Sequence, residues 1–551
     1  MAPNEISMTL NGSTKSLSYI ENSVKSEDLD LLVEDALDYA HSIGFVLRTN
    51  EHKDRSDICQ ALPFSLLPSP FPGKLFNQAM SVQTAMNLLY FRASWDYDFL
   101  MKSHEAVIKT DVFIRKLSEI MTKVRQEGVR QTKTLVLQRA DYMCHAPDGR
   151  IKGLKQIEVN NIASGMAGMS MRLTKLHNRL LTKMGFKQEV IKERLPDNQA
   201  LLSQGPAIVQ AWKDFGDPQA VVLFVVEEVN QNQFDQRLVE YSVEELSNGE
   251  IKVIRATLTA LSKRLHISES HDLFLDNSLK VAIVYFRAGY SPCHYPTEAE
   301  WEVRLMMERS TAVKCPWIGL QLANTKKVQQ MLAAPGVIEH FFRDLPEVVS
   351  EIRKTFANLW GLENDDDETE NVIKDAIANP ESYVLKPQLE GGGGNVFGQN
   401  ISTLLSSMSK EERSAYILME KIAVPLQKDA IANPESYVLK PQLEGGGGNV
   451  FGQNISTLLS SMSKEERSAY ILMEKIAVPL QKNYLIRAFH PVRLENIVNE
   501  LGIFGALYGN GQTKEIFSNV ATGYLMRSKY ADMNEGGIAC GAAVMDTPFL
   551  Y

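Results

Sequence analysis

A mixed α/β body is the fold class this sequence predicts, and three observations predict it. Short apolar runs of strand type, TLVLQRADYM, KQIEVN and AVVLFVVEEV, alternate with segments of helical periodicity. The composition is that of an ordinary globular protein, 44% hydrophobic and 23% charged over 551 residues, and this length suggests about three or four domain-sized units with a large core. A glycine run, KPQLEGGGGNVFG from Lys386, lies between two further strand-like stretches, YVLKPQLE and YILMEKI.

Taken in chain order, Ser26 is placed to cap a helix whose Leu29, Leu32, Val33, Ala36, Leu37 and Ala40 share one face, with Gly44 placed to end it. A proline-rich passage, LPFSLLPSPFPGK, interrupts regular structure before helical pattern resumes from Lys74 to about Ile120. The three strand-like runs follow. The acidic run ENDDDETE from Glu363 to Glu370 repels itself and has no framework for a metal, so it reads as a solvated linker. The domains expected are 1–220, helices plus the first strands of the body; 221–325, a substrate-binding unit; and 326–551, a nucleotide-binding and C-terminal region.

Net charge is −9, from 58 basic and 67 acidic side chains, with no basic block to neutralise a nucleic-acid backbone or an anionic membrane. The first residues, MAPNEISMTLNGS, lack a secretory pattern, and the run Ala220 to Val226 is too short to span a bilayer. Without a secretory signal, the Asn11-Gly12-Ser13 acceptor pattern carries no weight. The five cysteines are scattered, without CxxC spacing, so neither a disulfide framework nor a zinc site is indicated. A cytoplasmic protein without nucleic-acid or membrane partners is expected.

Residues 375–428 recur letter for letter as residues 429–482, a 54-residue tandem repeat. Solenoid repeats are diverged and come in three or more copies, because each unit stacks on a neighbour. Two identical copies look instead like one segment present twice.

Within each copy the strand YVLKPQLE places Lys386, Gln388 and Glu390 on one face, so a cation and a carboxylate enter one pocket. Gly391 to Gly394 carry no side chains, so backbone N–H groups can approach an anion and the loop can move. That suits nucleotide phosphates, with Lys386 on a phosphate oxygen and Glu390 on Mg2+. Apolar residues around the polar pair in YILMEKI suit an adenine slot. A flexible linker between strands is the bland alternative, and the absence of GxxxxGK[ST] and GxGxxG argues against the P-loop and Rossmann modes. Upstream, Glu158 and Asn160 lie two apart on KQIEVN, both oxygens on one face as a hard cation sharing phosphate oxygens requires. Arg139 and Asp141 have the same spacing in LQRADYM. An exposed strand face explains either pair equally well.

Together RADYM, KQIEVNNI, NQFDQR, VYFRAGY, ERSTAVKCPWIGLQLANTKKVQQ, VLKPQLEGGGGN, YILMEKI, ELGIFG and EGGIACGAAVMD resemble eukaryotic glutathione synthetase, of the ATP-grasp superfamily. The likeness runs from about Ser26 to the C-terminus, apart from the extra copy. It implies an ATP-grasp fold with mixed and antiparallel sheets flanked by helices, a substrate-binding subdomain, and glycine-rich and alanine-rich lid loops. The implied reaction joins γ-glutamylcysteine to glycine with ATP, through an acyl phosphate, with Mg2+ and in a homodimer.

The resemblance also implies site residues. Mg2+ corresponds to Glu158, Asn160 and Glu390, or the duplicate Glu444. ATP corresponds to Glu158, Lys326, Lys386, Pro387, Gln388, Glu390, Gly391, Gly392, Gly393, Gly394, Asn395, Phe397, Met419, Glu420, Lys421, Ile422, Glu500, Lys529 and Glu535. The second copy supplies Lys440, Gly445, Gly446, Gly447, Met473, Glu474, Lys475 and Ile476 as alternatives. γ-Glutamylcysteine corresponds to Arg139, Ile162, Ala163, Ser164, Gly165, Asn230, Gln231, Asn232, Gln236, Arg287, Ala288, Gly289 and Tyr290. Arg527, Ile538 and Ala539 lie where glycine is expected. Lys326, Lys386 and Arg527 are the implied catalytic groups. Taken singly, Lys326 and Lys529 read equally as surface lysines, Arg527 as a surface ion pair, and Ile538 and Ala539 as packing.

The chain departs from the family where serines are usual, at Ala163 and Gly165, and also at Ala288, Gly394 and Glu535. These departures bear on substrate contacts and remove no expected metal ligand. Variation of the family in the C-terminal loop keeps open a homoglutathione-type ligase with another acceptor, and the duplication keeps open a catalytically impaired nucleotide-binding relative. The two copies cannot share one slot in one sheet, so one is expected to be extruded and prone to aggregation. The first copy, whose lead ENVIKDAIA is intact, is taken as the working one.

Overall fold

The computed structural model describes residues 20, 23–25, 27–105, 107–146, 150–356, 377–378, 383–387, 396–397, 399–407, 416–420, 437–441, 450–451, 453–462, 466, 470–474, 479–531, 538 and 543–551. The acidic run 363–370 and Ser26 lie outside them. The chain divides into two compact units, one of Met1–Gln329, Leu443–Gly447 and Ile476–Tyr551, the other of Gln330–Gln442 and Gly448–Lys475.

In the first unit the helix Leu29–Ser42 buries Leu32, Ala36 and Ala40, four residues apart on one stripe, and Gly44 at φ +68° turns the chain away from its end. Leu29, Val33 and Leu37 pack against the same core, as the periodicity predicts. Strands β1 (Val46–Arg48) and β2 (Cys59–Ala61) then form a short hairpin. The helical stretch after the prolines resolves into Gly73–Trp95, Tyr97–His104, Val107–Thr110 and Val112–Glu127. Asp96 and Asp111 cap two of these, accepting from Phe99 N (3.0 Å) and Ile114 N (2.9 Å).

A seven-stranded sheet forms the body. It consists of β3 (Phe64–Ser65), β5 (Lys133–His145), β6 (Gly153–Asn160), β19 (Gln481–Ile486), β20 (Leu494–Asn510), β21 (Glu515–Tyr530) and β22 (Ala543–Asp546), in the order β19-β3-β22-β21-β20-β5-β6. β4 (Ser69–Phe71) pairs with β23 (Pro548–Leu550) beside it. Strand alternation gives the sheet two working faces. On one, the helix Gly73–Trp95 sets Gln83 Nε2 on Gln138 Oε1 at 2.9 Å. On the other lie Arg139 and Asp141.

The second sheet is built from β7 (Val221–Val225), β8 (Val253–Ala256), β9 (Leu265–Ile267), β10 (Leu273–Leu275), β11 (Leu279–Phe286) and β12 (Val313–Cys315). β8, β7, β11 and β12 run parallel, so the loops after β7 and β11 emerge at the same end.

In the second unit each copy of the repeat forms its own three-stranded antiparallel sheet. β13 (Tyr383–Pro387) pairs with β14 (Val396–Phe397) and β15 (Tyr416–Glu420), and β16 (Tyr437–Pro441) pairs with β17 (Val450–Phe451) and β18 (Tyr470–Glu474). Registers match, Lys386 opposite Ile417 and Lys440 opposite Ile471. The strands read from YVLKP and YILME are thus present in both copies. Among the described residues each copy pairs its own strands, and Leu439, Ile455 and Leu459 of the second form a small core.

Burial also produces a pH-sensitive group beneath the large sheet. Asp546 is fully buried, and burial raises its pKa from 3.8 to about 6, against hydrogen bonds from Ser528, Ser69 and the Thr547 backbone. The folded state therefore keeps a proton that the unfolded chain releases near pH 4. Stability from this group is complete below that pH and is lost as pH rises to about 6. Asp546→Asn is expected to gain about 3 kcal/mol relative to the parent between pH 4 and 7, read from urea unfolding at several pH values. A gap that stays constant with pH would refute it.

Candidate active site

Four neighbouring strands, β6, β5, β20 and β21, carry the charged residues of the site on one face of the large sheet. Cross-strand register sets them opposite one another: Arg139 faces Asn160 and Asp141 faces Glu158 across β5–β6, Gly502 faces Asp141 across β20–β5, and Glu500 faces Arg527 across β20–β21. Period-two spacing along each strand does the rest, keeping 139 with 141 and 158 with 160 on that face.

Asp141 is at the centre. Its Oδ1 accepts from Arg139 Nε at 2.7 Å, and its Oδ2 accepts from Arg139 Nη2 at 2.7 Å, Arg527 Nη2 at 3.0 Å and Asn160 Nδ2 at 3.2 Å. Arg527 also pairs with Glu500. Burial works against the Arg527 charge, yet Glu500 and Asp141 outweigh it and raise its pKa, so the guanidinium stays ionised. Burial raises the Glu500 pKa, reinforced by Asp141 and Glu158 and opposed by Arg527 and Lys529. The exposed-strand alternative for Arg139 and Asp141 fails, since Asp141 is 1% exposed and Arg139 8%. Gly502 allows this crowding: a Cβ there would lie 2.5 Å from Asp141 Oδ1 and 2.9 Å from Arg139 Cδ.

Glu158 and Asn160 present oxygens suited to a hard cation. Asn160 Nδ2 is directed at Asp141 and, at 3.4 Å, at Glu158 Oε1, which leaves its Oδ1 as the atom to meet a metal. Among the described residues no three His, Cys, Asp or Glu side chains form a metal-holding group. The expected third ligand, Glu390 or its duplicate Glu444, lies outside them. Lys326 begins the helix Lys326–Ala333 and is 2% exposed, so it is no surface lysine. Gln329 Nε2 donates to Val159 O at 3.3 Å, and Asn324 Oδ1 accepts from Asn161 N, fastening this segment to β6. Lys529 lies two residues beyond Arg527 on β21, and Ile538 is buried in the core cluster, as its packing alternative has it.

The residues expected to hold γ-glutamylcysteine come from three loops that converge. After β6, Ala163 adopts φ +53° and Ser164 Oγ donates to Asn160 O at 2.9 Å. Arg139 Nη1 reaches Gly165 O at 3.3 Å. Arg287, from the loop after β11, pairs with Asp235 at 3.2 Å and donates to Ser164 O at 3.3 Å, while Asp235 also takes Met166 N at 2.8 Å. A Cβ at Gly165 would sit 2.9 Å from Arg287 Nη2, so the departure from serine there is matched by the arginine filling that space. Asn230 and Tyr290 meet on Glu227: Asn230 Nδ2 and Tyr290 Oη (3.3 Å) donate to it, with His294 Nε2 at 2.9 Å. Burial pushes the Glu227 pKa up, but His294 and the other donors outweigh it and the net shift is down. Burial and the Glu227 charge push Tyr290 up to about 12. Gln236 accepts from Arg255 at 2.6 Å, Asn232 N donates to Asn230 Oδ1 at 2.7 Å, Ile162 and Ala288 are buried, and Gly289, at φ +99°, takes Gln321 Nε2 on its carbonyl at 2.8 Å.

Gln388, Glu390, Gly391 to Gly394, Asn395, Lys421, Ile422, Glu535 and Ala539 lie outside the described residues, as do Glu444, Gly445, Gly446, Gly447, Lys475 and Ile476 in the second copy. Lys386, Pro387, Phe397, Met419, Glu420, Met473 and Glu474 are placed by backbone only, on β13 to β15 and β18. Sequence reasoning missed Asp235, Glu227, His294 and Gly502, and left Asp141 without a role. Asp235 was within reach, since it adjoins Gln236 in NQFDQR; nothing local marks Glu227 or His294.

The sequence matches the family described as eukaryotic glutathione synthase, ATP binding domain, over residues 26–431 and 425–550, two stretches that overlap where the first copy hands over to the second. Glutathione synthetase of Xenopus laevis is 36% identical over 522 residues, 95% of this chain and 97% of that protein. The Homo sapiens enzyme is 35% identical over 530 residues with the same coverage, and the chloroplastic enzyme of Arabidopsis thaliana 34%, covering 95% and 86%. Among solved structures, a glutathione synthetase like-effector from Globodera pallida in its apo form superposes with a TM-score of 0.65 at 28% identity, over 97% of this chain and 99% of that one.

Proposed function

The chain belongs to the eukaryotic glutathione synthetase family of ATP-dependent ligases, and from that premise we propose that it joins γ-glutamylcysteine to glycine at the charged face of β6, β5, β20 and β21. The observation that carries the reading is the register that gathers Glu158, Asn160, Arg139, Asp141, Glu500 and Arg527, drawn from distant parts of the chain, onto one face.

A carboxylate is a poor electrophile, so ATP first phosphorylates the cysteinyl carboxylate and the glycine amine then attacks the acyl phosphate, releasing phosphate. Phosphoryl transfer needs positioning and charge neutralisation more than covalent help. Glu158 and Asn160, with Glu390 or Glu444, would hold Mg2+, which would supply positive charge to neutralise the phosphates. By the family resemblance Lys326 and Lys386 are the phosphate-binding lysines, and Arg527, kept ionised by Glu500 and Asp141, would stabilise charge at the reacting end. Arg139 and Arg287 hold the carboxylates of the donor, each already fixed by a buried acid. The family resemblance makes the glycine-rich loop and the EGGIACGAAV loop the lids that would exclude water from the acyl phosphate. The reading includes a homodimer, supported by the family resemblance alone, and a cytoplasmic location, supported by the scattered cysteines of the sequence. Among the described residues no helix is long and apolar enough to cross a membrane.

Phosphate release with ATP, Mg2+ and γ-glutamylcysteine, supplied in turn with glycine, alanine or serine, tests it. Release with glycine is expected. Faster release with another acceptor would make the protein a homoglutathione-type ligase, and ATP binding without release for any acceptor would make it a catalytically impaired relative.

A further inference from the structure

We propose that Asp141 is the positioning residue of this site: a single carboxylate that sets the donor-binding Arg139, the metal-facing Asn160 and the charge-stabilising Arg527 in one fixed arrangement. The inference rests on the function proposed above. Asp141 is 1% exposed and its oxygens are taken up by neighbouring side chains, so it acts through them rather than on substrate.

Four N–H groups converge on its two oxygens, from three side chains on three different strands. Each of those side chains serves a different part of the reaction, so one acid ties donor binding, metal binding and stabilisation of the developing charge together. The grip on Arg139 is bidentate, which fixes the plane of the guanidinium as well as its position. That leaves Nη1 to extend to Gly165 O at 3.3 Å, in the loop expected to bind the donor. Asn160 is turned by the same acid so that its nitrogen, rather than its oxygen, is consumed.

Stability is a weak reason for such an arrangement, since well-packed apolar residues replace buried ion pairs with little loss. The neighbouring strand is nevertheless shaped around it. Gly502 stands opposite Asp141, and any side chain there would run into both Asp141 and Arg139. A bare strand position across from a buried acid is what a fixed constellation requires, because the arginines must be held before substrate arrives for their ordering not to be charged against binding.

The test uses the full-length protein and compares Asp141→Asn with the parent in two assays. In the first, steady-state ligation with glycine, kcat is expected to fall about 10- to 100-fold while the KM for ATP moves less than about twofold. In the second, calorimetry with γ-glutamylcysteine and no ATP or metal, donor affinity is expected to weaken about tenfold, because Arg139 is no longer held. Asp141→Glu keeps the charge but moves it by one methylene. It is expected to fold and to show the same losses, so the inference stays decidable if the asparagine variant does not fold. A variant that melts earlier yet retains the parental kcat and donor affinity would reduce Asp141 to a structural residue and overturn the inference, as would either variant at full activity. A parent that binds γ-glutamylcysteine but forms no glutathione would overturn the proposed function instead, and the binding comparison would still decide the role of Asp141.

Discussion

Replacing Glu158 with alanine is expected to lower glutathione formation about 100- to 1,000-fold, the scale set by losing one preorganised electrostatic contact to a reacting phosphate. Glu158 lies opposite Asp141 on the charged face, two residues from Asn160, and is the one full negative charge that β6 contributes there. Without it a metal held as proposed would keep only an amide oxygen on this strand, and the phosphoryl group would lose charge neutralisation there. Asn160→Ala, which removes a neutral ligand, is expected to cost less, about 10- to 100-fold. Both effects should appear as a weaker response to added Mg2+ in a phosphate-release assay, with ATP binding persisting and thermal unfolding little changed. Glu158→Gln separates charge from shape, and its activity should resemble that of the alanine variant. An alanine variant that folds and ligates at the parental rate would remove the metal from this face altogether.

How much of this was legible in the sequence depends on the range of the interaction. The strand character of KQIEVN and LQRADYM, and the shared faces of 158 with 160 and 139 with 141, follow from period two and are present as β6 and β5. The stripe of Leu32, Ala36 and Ala40 was equally readable. Neither pattern could reveal that Asp141 is buried, because its burial is imposed by β20 and β21, more than 350 positions downstream, and by the bare Gly502 opposite it. Lys326 reads as one of two surface lysines in ANTKKVQQ for the same reason, since what buries it is the docking of residues 324–329 against β6. Glu227 and His294 are joined across 67 positions by two loops that only the parallel pairing of β7 and β11 brings to one end. Local spacing states which residues can share a face, whereas non-local register decides which faces meet.

The tandem repeat gives the second large effect. The copies are identical, so deleting either one yields the same protein and cannot say which one works. Single lysine substitutions can, because Lys386 and Lys440 hold the same register position in two separate sheets, opposite Ile417 and Ile471. With the first copy serving the ATP site, Lys386→Ala is expected to lower kcat about 100-fold or more through loss of a phosphate clamp, while Lys440→Ala leaves it within about twofold. Lys440 is buried, so its replacement can shift stability, and the comparison must be made on kcat per folded molecule. The opposite pattern would assign catalysis to the second copy, whose last strand is followed closely by β19. Loss in both single variants would mean that both sheets are required, and a loss seen only when both lysines are replaced would mean that the copies exchange in one site. A double variant with the parental kcat would leave neither lysine on a phosphate, and the charge neutralisation assigned to the glycine-rich strand would have to come from Lys326 and the metal alone.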